Sequence, residues 1–188
     1  MPEKKVKGVT IVETFAEAFP MVATRVIITA PTAEWAMVSA RTMTGFATSV
    51  IACGAEGGVE RTLSKSETPD GRPGVAVLLF TMDVNMLQTQ LRNRVGQCVL
   101  TSPGSACYAG LEGEKKLKLG ASLRFFGDGW QMSKVIGRRR YWRIPVMGGE
   151  FVCEDKTGLT TKAVGGGNLL VVGKSHKAVL AACTRAVK

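Results

Sequence analysis

The segment 68–74 reads TPDGRPG, and its two prolines, two glycines and one aspartate leave the backbone little except a tight reversal. A three-part pattern stands on each side of it. Before the turn, residues 24–30 (TRVIITA) form a short β-branched run suited to a buried strand. Pro31 and Thr32 then open a stretch of helix formers, with Thr32 placed to cap it. Trp35, Val38 and Thr42 share one face, and Gly45 ends the helix. Residues 49–53 follow as a second strand. After the turn, 75–82 read as a third strand and Asp83 as the cap of a helix whose Leu87, Leu91 and Val95 recur every four residues. Residues 98–100 then read as a fourth strand. The order β-α-β, turn, β-α-β predicts an α+β class, a ferredoxin-like split β-α-β lobe with an antiparallel sheet and its helices on one face.

The pattern changes from Pro103 onward. Glycines alternate with short apolar stretches, so 123–130 (LRFFGDGW) suggests hairpins and 140–146 (RYWRIPV) alternates as a strand. Gly165, Gly166 and Gly167 precede a strand at 169–172, and Ser175 caps a last helix striped by Val179, Ala182, Cys183 and Ala186. This last strand and helix open a second, incomplete lobe, which places the domains at 1–148 and 149–188.

Hydrophobic residues at 45% of 188 exclude a disordered chain, and an excess of 25 Lys and Arg over 15 Asp and Glu gives a net charge of +10. Such a charge leaves nucleic acid, anionic lipid and polyanionic small molecules open as partners. The five cysteines, at 53, 98, 107, 153 and 183, are odd in number and form no CxxC pair, and His176 is the only histidine. Neither a disulfide framework nor a zinc site fits, and the thiols read as small buried hydrophobes in a reducing compartment. Without a leader-like apolar core near the N-terminus, and with apolar runs such as 75–80 only strand-sized, the expectation is a soluble, cytoplasmic protein without a membrane partner.

Few residues declare chemistry by themselves. The triple glycine lacks the Lys-Ser/Thr of a phosphate loop and reads as a strand entry. Lys134, Arg138, Arg139, Arg140 and Arg143, interleaved with Tyr141 and Trp142, are the best signal for single-stranded nucleic acid, yet the same run reads as an ordinary strand after a basic hairpin tip. Glu13, Glu17 and Asp70 suit either capping or general acid–base work, and Arg94, Gln97 and Thr101 flank a strand entry where polar groups face a cleft.

Several longer motifs occur together in order: 13–19 (ETFAEAF), 44–46 (TGF), 68–74, 94–100 (RVGQCVL), 126–129 (FGDG), 144–147 (IPVM) and 165–168 (GGGN). Together they resemble the formylmethanofuran:tetrahydromethanopterin formyltransferase family from about Gly8 onward, in wording closer to the bacterial form that belongs to a formyltransferase/hydrolase complex. The resemblance implies transfer of a formyl group between methanofuran and N5 of tetrahydromethanopterin, with these carriers as substrates and no metal or prosthetic group. It implies two ferredoxin-like lobes per subunit, assembled as a homo-oligomer (dimer or tetramer) or within that complex. Its motifs nominate Gln97 and Glu13 as catalytic and Thr14, Glu17, Asp70, Arg72, Arg94, Thr101 and Asn168 as substrate-binding. The family continues past Lys188 into a C-terminal lobe that holds a glutamate proposed as catalytic. Two other readings are a non-catalytic carrier-binding or assembly subunit and a basic nucleic-acid-binding domain.

Overall fold

A computed structural model describes residues 2–13, 17–127, 129–167 and 170–187. The chain divides into two compact units, Met1–Ala18 with Gly166–Lys188, and Phe19–Gly165. In the smaller unit, β1 (Glu3–Val6) and β2 (Val9–Val12) pair antiparallel across Lys7 and Gly8. Both turn residues take positive φ, 49° and 80°, the geometry whose twist matches that of a two-residue hairpin.

The larger unit is built on β3 (Phe19–Thr29), whose alternation sends Val22, Val26 and Ile28 into the main core and Arg25 and Ile27 to the opposite face. The helix α1 (Ala33–Thr44) starts at Thr32, which accepts from the Trp35 N–H at 3.2 Å. Its small residues Ala36 and Ala40, with Met43, are buried, so the face of Trp35, Val38 and Thr42 turns outward. Then follow β4 (Thr48–Ser49), a single helical turn α2 (Val50–Cys53), β5 (Ala55–Leu63) and β6 (Gly74–Thr81). Asp83 caps α3 (Val84–Arg94) by accepting from the Met86 N–H at 2.9 Å. This helix runs on into a π-helical turn, Val95–Val99, closed by Leu100 N–H to Val95 carbonyl at 2.9 Å. Beyond it come β7 (Ala106–Ala109), β8 (Lys116–Lys118), the turn α4 (Gly120–Leu123) and a 3₁₀ turn Arg124–Phe126. The strands β9 (Met132–Ile136), β10 (Arg139–Val146), β11 (Gly149–Glu154), β12 (Lys156–Gly158) and β13 (Thr160–Gly165) complete the unit. In the smaller unit Ser175 caps α5 (His176–Ala186), which has no buried residue; Val179 and Cys183 of its stripe are half-buried.

The class is mixed α and β. The main sheet runs β4-β5-β6-β3-β7-β11-β10-β9, with β13 beside the first half of β3, and β8 pairs with β12 separately. Pairing is antiparallel except for β7 with β11, so the expected all-antiparallel sheet carries one parallel pair. Both α1 and α3 contribute to one core with Val75, Val77, Leu79, Ile144 and Phe151.

Several expected strands are displaced. Residues 49–53 include a helical turn, and the strand is β5. Residues 98–100 belong to the π turn and its end, because Val95 and Val99 continue the four-residue spacing of Leu87 and Leu91 into the core; the strand is β7. Where 123–130 suggests hairpins, Leu123 ends one helical turn and Arg124–Phe126 form another, with Asp128 outside the described residues; 170–172 take no regular structure, and Leu169 is also outside the described residues. The expected boundary at 148/149 falls in the turn joining β10 to β11, where Val146 stands opposite Gly149. Cys107 and Cys153 are buried in register on β7 and β11, whereas Cys53, Cys98 and Cys183 are half-buried. No helix among the described residues is long and apolar enough to cross a membrane.

One side chain braces the loop after α1. Arg94 donates through Nη1 to the carbonyls of Met43 (2.9 Å) and Gly45 (3.0 Å), through Nη2 to those of Phe46 (3.0 Å) and Cys53 (3.3 Å), and through Nε to Gln90 Oε1 (2.9 Å). Arg94→Ala strips these carbonyls of a charged donor and is expected to lower the free energy of unfolding by about 3 kcal/mol. Urea denaturation checks it, and a loss under about 1 kcal/mol contradicts the brace.

Candidate functional site

The proline- and glycine-rich segment 68–74 is held in shape by its own side chains. Before it, Glu67 accepts from the Ser64 N–H (2.9 Å) and hydroxyl (2.7 Å) and from Arg61 (2.7 Å). The Arg61 and Ser64 hydrogen bonds hold its carboxyl down at about 2. Thr68 Oγ1 donates across the turn to the Arg72 carbonyl at 2.6 Å, and Gly71 sits at φ 69° where a side chain is strained.

Asp70 and Arg72 tie this turn to three other elements. Asp70 Oδ2 accepts from Thr29 of β3 (2.7 Å), Arg72 Nε (2.8 Å) and the Tyr108 hydroxyl of β7 (3.1 Å). Arg72 also reaches the Gly104 carbonyl (2.6 Å) and Thr29 Oγ1 (3.0 Å). Burial pushes the Asp70 carboxyl up, but the hydrogen bonds from Thr29 and Arg72 and the Arg72 charge outweigh it, leaving the group below its ordinary value. Burial, and then the neighbouring Asp70 charge, raise the Tyr108 phenol.

Two recesses flank this network. One, of about 560 Å³, lies between Pro69, Tyr108, Met132, Ile136, Tyr141 and Val152, with Lys134 and Arg143 also in its wall. The rings of Tyr108 and Tyr141 meet edge to face at 6.2 Å. Such aromatic and aliphatic walls suit a flat ring, and the cations suit an acidic substituent on it. The other recess, of about 450 Å³, lies between the loop around Thr101 and Gly104 and the β10–β11 turn around Met147.

The nominated residues fall into distinct places. Asp70 and Arg72 are bonded to each other. Gln97 is exposed on the π turn, its carbonyl accepting from Thr101 Oγ1 at 2.8 Å and its amide making no hydrogen bond among the described residues. Arg94 turns its donors inward. Glu13 and Glu17 are exposed in the smaller unit, Glu13 with its N–H on the Pro2 carbonyl at 2.9 Å. Thr14 and Asn168 lie outside the described residues. Sequence reasoning missed Thr29 and Tyr108, which only strand pairing brings to Asp70. In the basic run, Arg139 pairs with Glu112 (2.5 Å) and Glu154 (3.4 Å), and Arg143 with Glu150; Arg140 donates to Ser133 (2.8 Å). Trp142 Nε1 donates to Asp155 at 2.6 Å. No group of three or more His, Cys, Asp or Glu among the described residues is arranged to hold a metal ion.

The formylmethanofuran-tetrahydromethanopterin formyltransferase family model matches residues 4–146, and the model of its proximal lobe matches 149–188. The chain is 60% identical over 183 residues to the formylmethanofuran–tetrahydromethanopterin formyltransferase of Methylococcus capsulatus, covering 97% of this chain and 61% of that protein. It is 53% identical to a component of the formyltransferase/hydrolase complex of Methylorubrum extorquens, covering 100% and 62%. Among solved structures it matches the formyltransferase/hydrolase complex from Methylorubrum extorquens with methylofuran at TM-score 0.93 and 53% identity, over 99% of this chain and 62% of that one. The Methanosarcina barkeri formyltransferase gives 0.91 and 46%, over 98% and 62%. The chain therefore spans about three fifths of the length of the relatives it matches.

The depressed Asp70 carboxyl sets an acid dependence. Its folded value lies below the ordinary 3.8, so the stability it contributes is present above that pH and is lost as pH falls through the folded value. Asp70→Asn is expected to lower stability at pH 7 and to flatten the acid limb below pH ~4. Denaturant titrations of both proteins at several pH values check this; an unchanged acid limb contradicts it.

Proposed function

Since this chain belongs to the formylmethanofuran-tetrahydromethanopterin formyltransferase family, we propose that it takes part in formyl transfer between formylmethanofuran and N5 of tetrahydromethanopterin. The observation that carries this reading is the likeness to the methylofuran-bound complex from Methylorubrum extorquens over nearly the whole chain. We read the β3-α1-β5-β6-α3-β7 succession as a ferredoxin-like lobe, supported by the sheet order β5-β6-β3-β7. The division at 148/149 is proposed as the lobe boundary, in keeping with the spans of the two family models.

In the forward sense, N5 attacks the formyl carbon, a tetrahedral intermediate forms, and the bond from that carbon to the methanofuran nitrogen breaks. One proton leaves N5 and one reaches the departing amine. The negative charge gathering on the formyl oxygen needs a donor already in place. The unbonded amide of Gln97 fits that role, on a turn fixed by the packing of Val95 and Val99. Asp70 and Arg72 serve by fixing the walls of the two recesses, with Thr101 beside the second. Arg94 serves as scaffold. Proton movement by Glu13, and carrier contacts by Thr14, Glu17 and Asn168, rest on the family motifs alone. The resemblance involves no metal or prosthetic group, and it favours a homo-oligomer or a place in a complex like that of the Methylorubrum extorquens relative.

Mixing the whole chain with formylmethanofuran and tetrahydromethanopterin is expected to yield formylated pterin. Gln97→Ala should lower kcat by roughly 10²–10³ with KM little changed. Carrier binding without turnover instead supports the carrier-binding or assembly reading, which the Methylorubrum extorquens relative, as a component of a complex, also favours. Failure to bind either carrier overturns both.

A further inference from the structure

Four arginines among the described residues are half-buried: Arg25, Arg72, Arg94 and Arg124. Three have acceptors. Arg25 pairs with Glu60, Arg72 with Asp70, and Arg94 with four loop carbonyls and Gln90. Arg124 has none. Its Nε is buried without a hydrogen-bond partner, and its Nη groups reach solvent but donate to nothing among the described residues.

The guanidinium is nonetheless held firmly. Its Cζ lies 4.5 Å from the centre of the Phe125 ring and 4.8 Å from that of Trp142. Trp142 is fixed in turn by its indole bond to Asp155 at 2.6 Å and by close packing on Gly120, where an added Cβ would come within 2.7 Å of the indole. The Asp155 carbonyl accepts from the N–H groups of Leu119 (2.9 Å) and Ala121 (3.2 Å), which anchors α4 at the same point. Gln131 Nε2 donates to the Arg124 carbonyl at 2.6 Å and fixes the backbone.

Aromatic faces attract a guanidinium and orient its plane, but they carry no net charge and accept none of its in-plane donors. A partly desolvated cation without an acceptor is costly, and one held rigidly in that state is preorganised for an anion. We propose that Arg124 anchors an oxyanion site, its Nη groups taking a carboxylate or phosphate of a small ligand in bidentate fashion. Phe126 packs on Gly96, where a Cβ would lie 3.4 Å from its ring, so the site adjoins the π turn that carries Gln97. The inference stands on the unpaired guanidinium and does not require the formyl-transfer reading.

Side-chain ¹H–¹⁵N spectra of the whole chain test it, using the Arg124 Nε–H signal, identified by its loss in Arg124→Lys, and the Trp142 indole N–H signal, identified in Trp142→Phe. Glutarate and inorganic phosphate are titrated separately at constant ionic strength. The expected result is a saturable shift of both signals with at least one anion, half-complete on the order of 1–10 mM. In Arg124→Lys, which lacks the planar fork, the indole shift should weaken at least about tenfold. A response to glutarate alone assigns a carboxylate; a response to phosphate, a phosphate. No shift with either anion while the spectrum remains that of folded protein overturns the proposal, as does an equal indole shift in Arg124→Lys. Signals that move only on diluting the protein assign the acceptor to a second copy of the chain and overturn the small-ligand site.

Discussion

The larger unit depends on the hydrogen bonding of β3 along both of its edges. β6 takes one edge, and β7 and β13 share the other end to end. A buried strand cannot leave its N–H and carbonyl groups unpaired, so these neighbours are obligatory. Their registers then decide which side chains meet. Val26 opposite Val77 and Ile28 opposite Val75 make the core, and the alternate residues, with Thr29 among them, face the other way. The Asp70 network follows from that geometry, since Thr29 stands at the strand's last position, opposite Gly74 at the end of the turn.

Charge is handled locally. The chain carries a net +10, yet the guanidiniums of Arg25, Arg61, Arg72, Arg139 and Arg143 each lie against a carboxylate. The excess is carried by exposed groups such as Arg138 and the lysines of β1, where solvent screens it. A basic composition here therefore describes a surface field more than a nucleic-acid groove. Tyr141 and Trp142, neighbours of those arginines in sequence, support this view: one faces the Tyr108 cleft and the other is pinned to Asp155.

What the sequence disclosed was mostly local. Thr32, Asp83 and Ser175 cap helices because a short oxygen-bearing side chain before an amphipathic run has one good use. The turn at 68–74 was legible for the same reason. β5 was not, because AEGGVERTL alternates poorly and has much of its length half-buried or exposed. The stretch 98–100 misled because one inserted residue in a π turn keeps an apolar spacing that a straight helix would lose. In the site, Asp70 and Arg72 could be found from the turn. Thr29 and Tyr108, far away in sequence, could not, because nothing local announces which strands pair. Arg124 carries no signal at all until the two rings are seen beside it.

The parallel pairing of β7 with β11 has a consequence for how the chain reaches this state. Antiparallel neighbours can be joined by a tight hairpin, but a parallel pair needs the chain to travel away and return. Here the excursion holds β8, α4, β9 and β10, so β11 docks only after a long segment has been gathered up. Closing such a loop is entropically slow to be rewarded, which places this seam late in folding. Until it closes, the Cys107 side of β7 lacks its neighbour. A nascent or stressed chain would be most exposed to mispairing at that edge, where Tyr108 and, once docked, Val152 wall the recess beside Pro69.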